Sequence, residues 1–107
     1  VKKFLPSAYG TLMSANDAQF LTHLMSQVVE IGTGSAMRGA SYTVAGKTGS
    51  AEFETGKETH SWFVGFAPAD KPKVAICVLA EESGSGGAVA APIARQVLDR
   101  YFAKYGQ

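Results

Sequence analysis

Apolar residues recur at helical spacing near the start of the chain. Leu21, Leu24, Met25, Val28 and Val29 fall on one side of a 3.6-residue repeat. Ser14-Ala15-Asn16-Asp17 stands just before them. Ser14 suits the capping position of a first turn, and Asp17, three residues on, suits its positive end. Gly32-Thr33-Gly34 stops the pattern. The spacing predicts a helix between Ser14 and Gly32. Residues 1 to 14, broken by Pro6 and Gly10, read as irregular.

From Tyr42 the pattern turns extended. Tyr42-Thr43-Val44-Ala45 is β-prone, and the strand continues through Lys47-Thr48-Gly49-Ser50 to Phe53. Glu54 to Thr59 is a polar turn, Ser61 to Phe66 a second strand, and Pro68 to Pro72 a second turn. Val74 to Leu79 is a third strand, apolar on both faces, which predicts that both faces are covered. Connections this short favour antiparallel hairpins. Ser83-Gly84-Ser85-Gly86-Gly87 reads as a flexible connector into a last helix. Ile93, Val97, Leu98, Tyr101 and Phe102 form one broad apolar face there, with Pro92 in the first turn. The order predicts an α+β fold, an antiparallel sheet of three strands flanked by helices, with no internal boundary. Two helices can cover one face of such a sheet. The other face of the apolar strand then lacks a partner in this chain, which implies further protein.

Composition narrows the field. The chain has 107 residues, 46% hydrophobic and 18% charged, which is globular and not disordered. A net charge of +1 provides no field for nucleic acid or an anionic membrane. A single cysteine, Cys77, excludes an intramolecular disulfide and a cysteine-rich metal site. Placed in the third strand, it reads as a small hydrophobe. His23 and His60 have no partner at ligand-like spacing, so no metal is expected. The apolar run Val74 to Ala80 is far short of the roughly 20 residues that span a bilayer. The first residue is Val1 and not Met, so a fragment or processed chain is expected.

Gly46-Lys47-Thr48 invites comparison with a phosphate-binding loop. That motif needs a glycine where Ser41 stands, and a helix N-terminus after it. The bulky Tyr42-Thr43-Val44 cannot form the required loop. The chemistry lies elsewhere in the same segment. Lys47, Thr48, Gly49 and Ser50 put a cation, two hydroxyls and a glycine on one extended stretch. On an edge strand such a stretch can pair with an extended peptide, bind its carboxylate, and let its backbone approach at Gly49. An ordinary solvated strand end has the same composition.

Lys47-Thr48-Gly49-Ser50-Ala51-Glu52 resembles the third motif of penicillin-binding transpeptidases and their β-lactamase relatives. Val29 to Gly34 is similar to the helix end before that strand in the family. Ser61 to Pro68 is similar to the next strand, and Gly86 to Ala94 to the entry of the C-terminal helix. Order and spacing agree from about Leu12 onwards, in a style closer to monofunctional (class B) transpeptidases than to β-lactamases. The family's nucleophile lies in Ser-x-x-Lys, and no serine here has a lysine three residues on. Ser14-Ala15-Asn16 matches the second motif, Ser-x-Asn, but a helix cap explains it better.

The resemblance implies that residues 1–107 are the C-terminal part of one transpeptidase domain. It implies a peptidoglycan D,D-transpeptidase that cross-links stem peptides ending in D-Ala-D-Ala through a serine acyl-enzyme and binds β-lactams. The backbone N–H of Ser50 would complete the oxyanion hole. Lys47, Thr48, Gly49 and Ser50 would bind the substrate, with Lys47 also acting in catalysis. The nucleophile would come from the remaining N-terminal part of the domain, at the extracytoplasmic face of the bacterial membrane. No cofactor and no nucleic acid is implied. A β-lactamase or D,D-carboxypeptidase of the same fold is the alternative, as is a catalytically dead sensor that keeps the carboxylate clamp. Trp62, Phe63 and Phe66 are expected in the core, with Trp62 or Phe63 a candidate cleft wall.

Overall fold

A computed structural model describes residues 3–106. Helix α1 runs Ala15–Ile31, strand β1 Ala45–Ala51, β2 His60–Ala67, β3 Val74–Ala80 and helix α2 Ala91–Tyr105. A short 3-10 turn, Ser35–Met37, precedes β1, and a π-helical turn, Gly86–Ala90, leads into α2. The strands form one antiparallel sheet in the order β1-β2-β3. Lys47 lies opposite Val64, Gly49 opposite Trp62, and Val64 opposite Cys77.

The start of α1 follows from its local sequence. Ser14 Oγ accepts the N–H of Asp17 at 3.1 Å, satisfying one of the orphan donors of the first turn. At the other end the N–H groups of Gly32 and Gly34 both reach the carbonyl of Val28, at 3.1 and 2.9 Å. Between these ends only Val29 is buried, while Phe20, Leu21 and Leu24 stay exposed.

Strand alternation splits the sheet into two faces. Phe63 and Ala67 point to the first, where they meet Ala91, Ala94, Leu98 and Phe102 of α2. Val29, Met37, Tyr42 and Val44 complete this core. The buried stripe of α2 is therefore narrower than the broad face expected from sequence. Ile93 and Val97 are 40% and 51% exposed, while Ala91, Ala94, Leu98 and Phe102 make up the buried side of the helix. A polar brace fixes the helix beside this core. Tyr42 Oη donates to Asp99 Oδ1 at 2.6 Å. Arg95 Nε donates to the same carboxylate at 3.0 Å, and its Nη1 reaches the carbonyls of Ala36 and Arg38. Burial, with the neighbouring Asp99 carboxylate, pushes the Tyr42 phenol well above its ordinary range.

The second face is only partly covered, by α1 towards its β1 side, and the two helices do not share the first. α1 packs against β1 and sends only Val29 into the core. Its Met25 lines, with Val64, Phe66 and Cys77, a shallow cavity of about 400 Å³ beside the second face. β3 is an edge strand, not the most buried one. Val74, Ile76 and Val78 are half-buried, whereas Ala75, Cys77 and Leu79 are exposed. Cys77 is thus a surface thiol here and not a core residue. Phe63 is fully buried, and Trp62 and Phe66 are half-buried on the other face. Among the described residues no helix is long and apolar enough to cross a membrane.

The Ser83–Gly87 segment is fixed by hydrogen bonds and not a free connector. The N–H groups of Ser83 and Gly84 bond to the carbonyl of Thr59, each at 3.1 Å. Thr59 Oγ1 returns a bond to the carbonyl of Gly84 at 2.8 Å. Ser61, fully buried, donates from Oγ to the carbonyl of Ser85 at 2.8 Å and accepts the N–H of Ala90 at 2.9 Å. Those bonds satisfy the buried hydroxyl and fasten the turn before α2 to β2.

Candidate functional site

β1 is an edge strand built of small residues, Ala45-Gly46-Lys47-Thr48-Gly49-Ser50-Ala51. One long edge of its backbone is not paired with any described strand. Gly46-Lys47-Thr48 is extended, with no helix N-terminus after it, so the phosphate-loop reading fails on geometry as well as sequence.

Alternation along the strand divides the segment that the sequence reads as one clamp. Lys47 and Gly49 pair with Val64 and Trp62 and share the second face. Thr48 and Ser50 pair with Phe63 and Ser61 and share the face of α2. Lys47 is exposed, and its Nζ donates to the carbonyl of Thr48 at 2.6 Å, bending round to its own strand. Thr48 is buried, with Oγ1 2.5 Å from Oγ1 of Thr33, in the loop after α1. Ser50 is exposed, and its Oγ accepts the N–H of Gly86 at 3.2 Å.

Glycine is required at Gly86. A Cβ there would lie 2.4 Å from the Trp62 carbonyl oxygen, 2.5 Å from that of Gly49 and 2.7 Å from the Gly49 nitrogen. The turn before α2 therefore presses directly on the β1–β2 ladder at Gly49. A Cβ on Gly87 would lie 2.6 Å from the Thr33 carbonyl oxygen. Gly49 itself has only Trp62 Cβ near its missing side chain, at 3.4 Å, so its face is not crowded by the protein.

Thr33, Ser61 and Gly86 were not marked as site residues by the sequence. Thr33 reads there as part of a helix stop and Gly86 as part of a connector. The pairing of Gly86 with Gly87, next to a helix whose first turn holds a proline, is the one local signal of a tight approach. Ser14, as expected, caps α1. His60 begins β2, stacks on Phe53 at 4.1 Å between ring centres, and accepts the N–H of Glu82 at Nδ1.

Known proteins match this arrangement. The model of the penicillin-binding protein transpeptidase domain matches residues 6–99. The peptidoglycan D,D-transpeptidase MrdA of Haemophilus influenzae is 40% identical over 85 residues, covering 65% of this chain and 13% of that protein. PbpA of Mycobacterium tuberculosis, also a peptidoglycan D,D-transpeptidase, is 47% identical over 64 residues, 52% of this chain and 13% of that one. The chain thus spans about an eighth of the length of these relatives. Among solved structures, the D,D-transpeptidase domain of a peptidoglycan glycosyltransferase from Eggerthella lenta superposes with a TM-score of 0.77 at 33% identity, over 96% of this chain and 24% of that one. Penicillin-binding protein A from M. tuberculosis, as its penicillin G acyl-enzyme complex, does so with a TM-score of 0.68 at 37% identity, over 81% of this chain and 20% of that one. With its edge strand, its Lys-Thr-Gly segment and the turn seated on it, this chain belongs to the penicillin-binding protein transpeptidase family.

Proposed function

We propose that this chain is the C-terminal part of a serine D,D-transpeptidase domain and supplies its carboxylate-binding strand and half of its oxyanion hole. The observation that carries this is the construction of β1. Its hydroxyls at Thr48 and Ser50 lie on one side of an unpaired edge, each in contact with a second polar group of the fold. The related structure that holds a penicillin G acyl-enzyme, and relatives named peptidoglycan D,D-transpeptidases, support the same reading.

In the proposed reaction a serine on the remaining N-terminal part attacks the carbonyl between the two terminal D-Ala residues of a stem peptide. The C–N bond breaks, the last D-Ala leaves as an amine with the proton from the serine, and an acyl ester remains. An amine of a second stem peptide then attacks the ester, forms the cross-link and returns the proton to the serine. β-Lactams enter the first step and stay as the acyl ester. Lys47, Thr48 and Ser50 bind the terminal carboxylate, Lys47 adding positive potential and Gly49 leaving room for the ligand backbone. The Ser50 N–H donates to the oxyanion. Backbone groups alternate between the two edges of an antiparallel strand, so the Ser50 N–H shares the side of the Thr48 carbonyl that Lys47 reaches. The work belongs to cell-wall synthesis at the extracytoplasmic face of the bacterial membrane. The second face and the free edge of β3 are where the rest of the domain would pack.

The test is acylation of the complete protein by a labelled penicillin. Lys47→Ala should slow it at least tenfold, about 1.4 kcal/mol of barrier. Unchanged kinetics would remove Lys47, and with it the strand, from the site. Residues 1–107 alone should not be labelled, since the nucleophile is proposed to lie elsewhere. A covalent adduct on this chain by mass spectrometry would reject that placement.

A further inference from the structure

A carboxylate accepts hydrogen bonds and cannot donate them. A hydroxyl that serves one must commit its single proton to it. Any other polar group bonded to that hydroxyl oxygen must then be a donor. Ser50 already meets this condition, since the partner of its Oγ is the N–H of Gly86. Thr48 meets it only with Thr33 as donor, and the contact between the two threonine hydroxyls permits either direction.

We propose that Thr33 and Gly86 are positioning residues for the carboxylate site. Each donates to one hydroxyl of β1 and thereby turns that hydroxyl's proton towards the bound carboxylate. This rests on the reading of β1 as the carboxylate strand. The two donors are linked mechanically. The Gly87 backbone lies against the carbonyl of Thr33, and the Gly86 backbone lies against Gly49 and Trp62, both too close for a side chain. Buried Ser61 anchors the same turn from β2 through Ser85 and Ala90. Displacing the turn would therefore disturb the donor to Ser50 and the seat of Thr33 together. Neither donor has to touch the ligand.

The experiment uses the complete protein and two probes, penicillin G and its methyl ester, which differ in the carboxylate. Acylation rate constants are measured for each, and their ratio is read. Wild type should favour the acid. Thr33→Val keeps the side-chain shape but removes the donor. It should lower the acid-to-ester ratio by about tenfold, in keeping with the strength of a hydrogen bond that serves a charged group. Thr33→Ser keeps the hydroxyl and should restore the ratio to within about twofold of wild type, since the same kind of bond is regained. Thr33→Ala gives a second donor-free variant should valine prevent folding. A ratio that survives loss of the donor, with both rates falling together, overturns the positioning role and makes Thr33 merely structural. Failure of serine to restore the ratio does the same. Absence of any acid preference in wild type overturns the carboxylate-strand reading itself.

Discussion

The two faces of this sheet are carried by the same strands yet are built differently. On the first, Phe63 and Ala67 are closed over by Ala91, Ala94, Leu98 and Phe102, and every one of these residues is buried. On the second, Val64, Cys77 and Leu79 are exposed and Trp62 and Phe66 only half-covered. One face is a closed core, and the other is apolar surface that α1 covers only in part. The Lys-Thr-Gly strand lies across this divide. Thr48 and Ser50 are on the closed side, where Thr33 and Gly86 hold them. Lys47 is on the other side, and its ammonium turns to the Thr48 carbonyl of its own strand. If β1 binds a carboxylate as proposed, its two hydroxyls are already held by partners within this chain, whereas Lys47 is held only by its own strand among the described residues.

The first face depends most on Phe63, its fully buried aromatic residue. Phe63→Ala should destabilise the complete protein by about 3–5 kcal/mol, the usual range for emptying a fully buried aromatic site. Urea unfolding measures it. A loss below about 1 kcal/mol would mean that the first face is not the tightly packed core its burial indicates.

The backbone of Ser50 comes next in size. Ser50→Ala keeps the main-chain N–H proposed as the oxyanion donor and removes only the hydroxyl. Ser50→Pro removes the N–H, and loss of one such donor slows reaction on the order of 100-fold or more. Acylation rates of folded variants, checked by circular dichroism, decide between them. Equal effects of the two changes would refute the backbone role.

How much of this was legible in the sequence depends on the range of each signal. The cap of α1 was readable because Ser14 and Asp17 interact across three residues. The three strands and their antiparallel order were readable from short polar turns between apolar runs. The position of β3 was not. Its two-sided apolar pattern speaks of cover on both faces, but this chain covers one, so Cys77 emerges exposed. The buried stripe of α2 is hard to read because fully buried Ala91 and Ala94 carry little apolar signal beside exposed Ile93 and Val97. The Lys-Thr-Gly segment stood out by its residue types, yet the two groups that hold its hydroxyls did not. Thr33 and Thr48 are 15 residues apart and Ser50 and Gly86 are 36 apart, distances over which no local pattern speaks. Glycine adds an ambiguity of its own. Gly10 and Gly86 look alike in sequence, but one borders open space and the other presses on three backbone atoms.

That pair of glycines provides a smaller and sharper test. Gly86→Ala places a methyl group against backbone that cannot yield as a side chain would, so it should cost about 1–3 kcal/mol and lower the acylation rate with it. Gly10→Ala meets nothing within 4 Å and should change stability by less than about 0.5 kcal/mol. Thermal unfolding and penicillin labelling, run side by side on both variants, measure the difference. Indistinguishable variants would show that the turn before α2 does not bear on β1.

The smallest effect in energy bears on the second face. Cys77 is exposed beside Val64 and Leu79, and replacing it with serine should leave stability within about 0.5 kcal/mol if that face meets only solvent. The proposal that the rest of the domain packs there makes a different prediction for the thiol itself. In the native complete protein Cys77 should react slowly with a maleimide, and quickly once urea unfolds the chain, because only an accessible thiolate is nucleophilic. Peptide mass spectrometry locates the label at Cys77 whatever other cysteines the complete protein contains. Rapid native labelling would show the second face to be open surface. Its apolar residues would then need an explanation other than a missing part of the same domain. Slow labelling, together with a serine variant that destabilises by more than about 1 kcal/mol, would mark Cys77 as buried in an apolar setting, the usual place of an unpaired cysteine. The second face of the chain would then be an inner face of the whole.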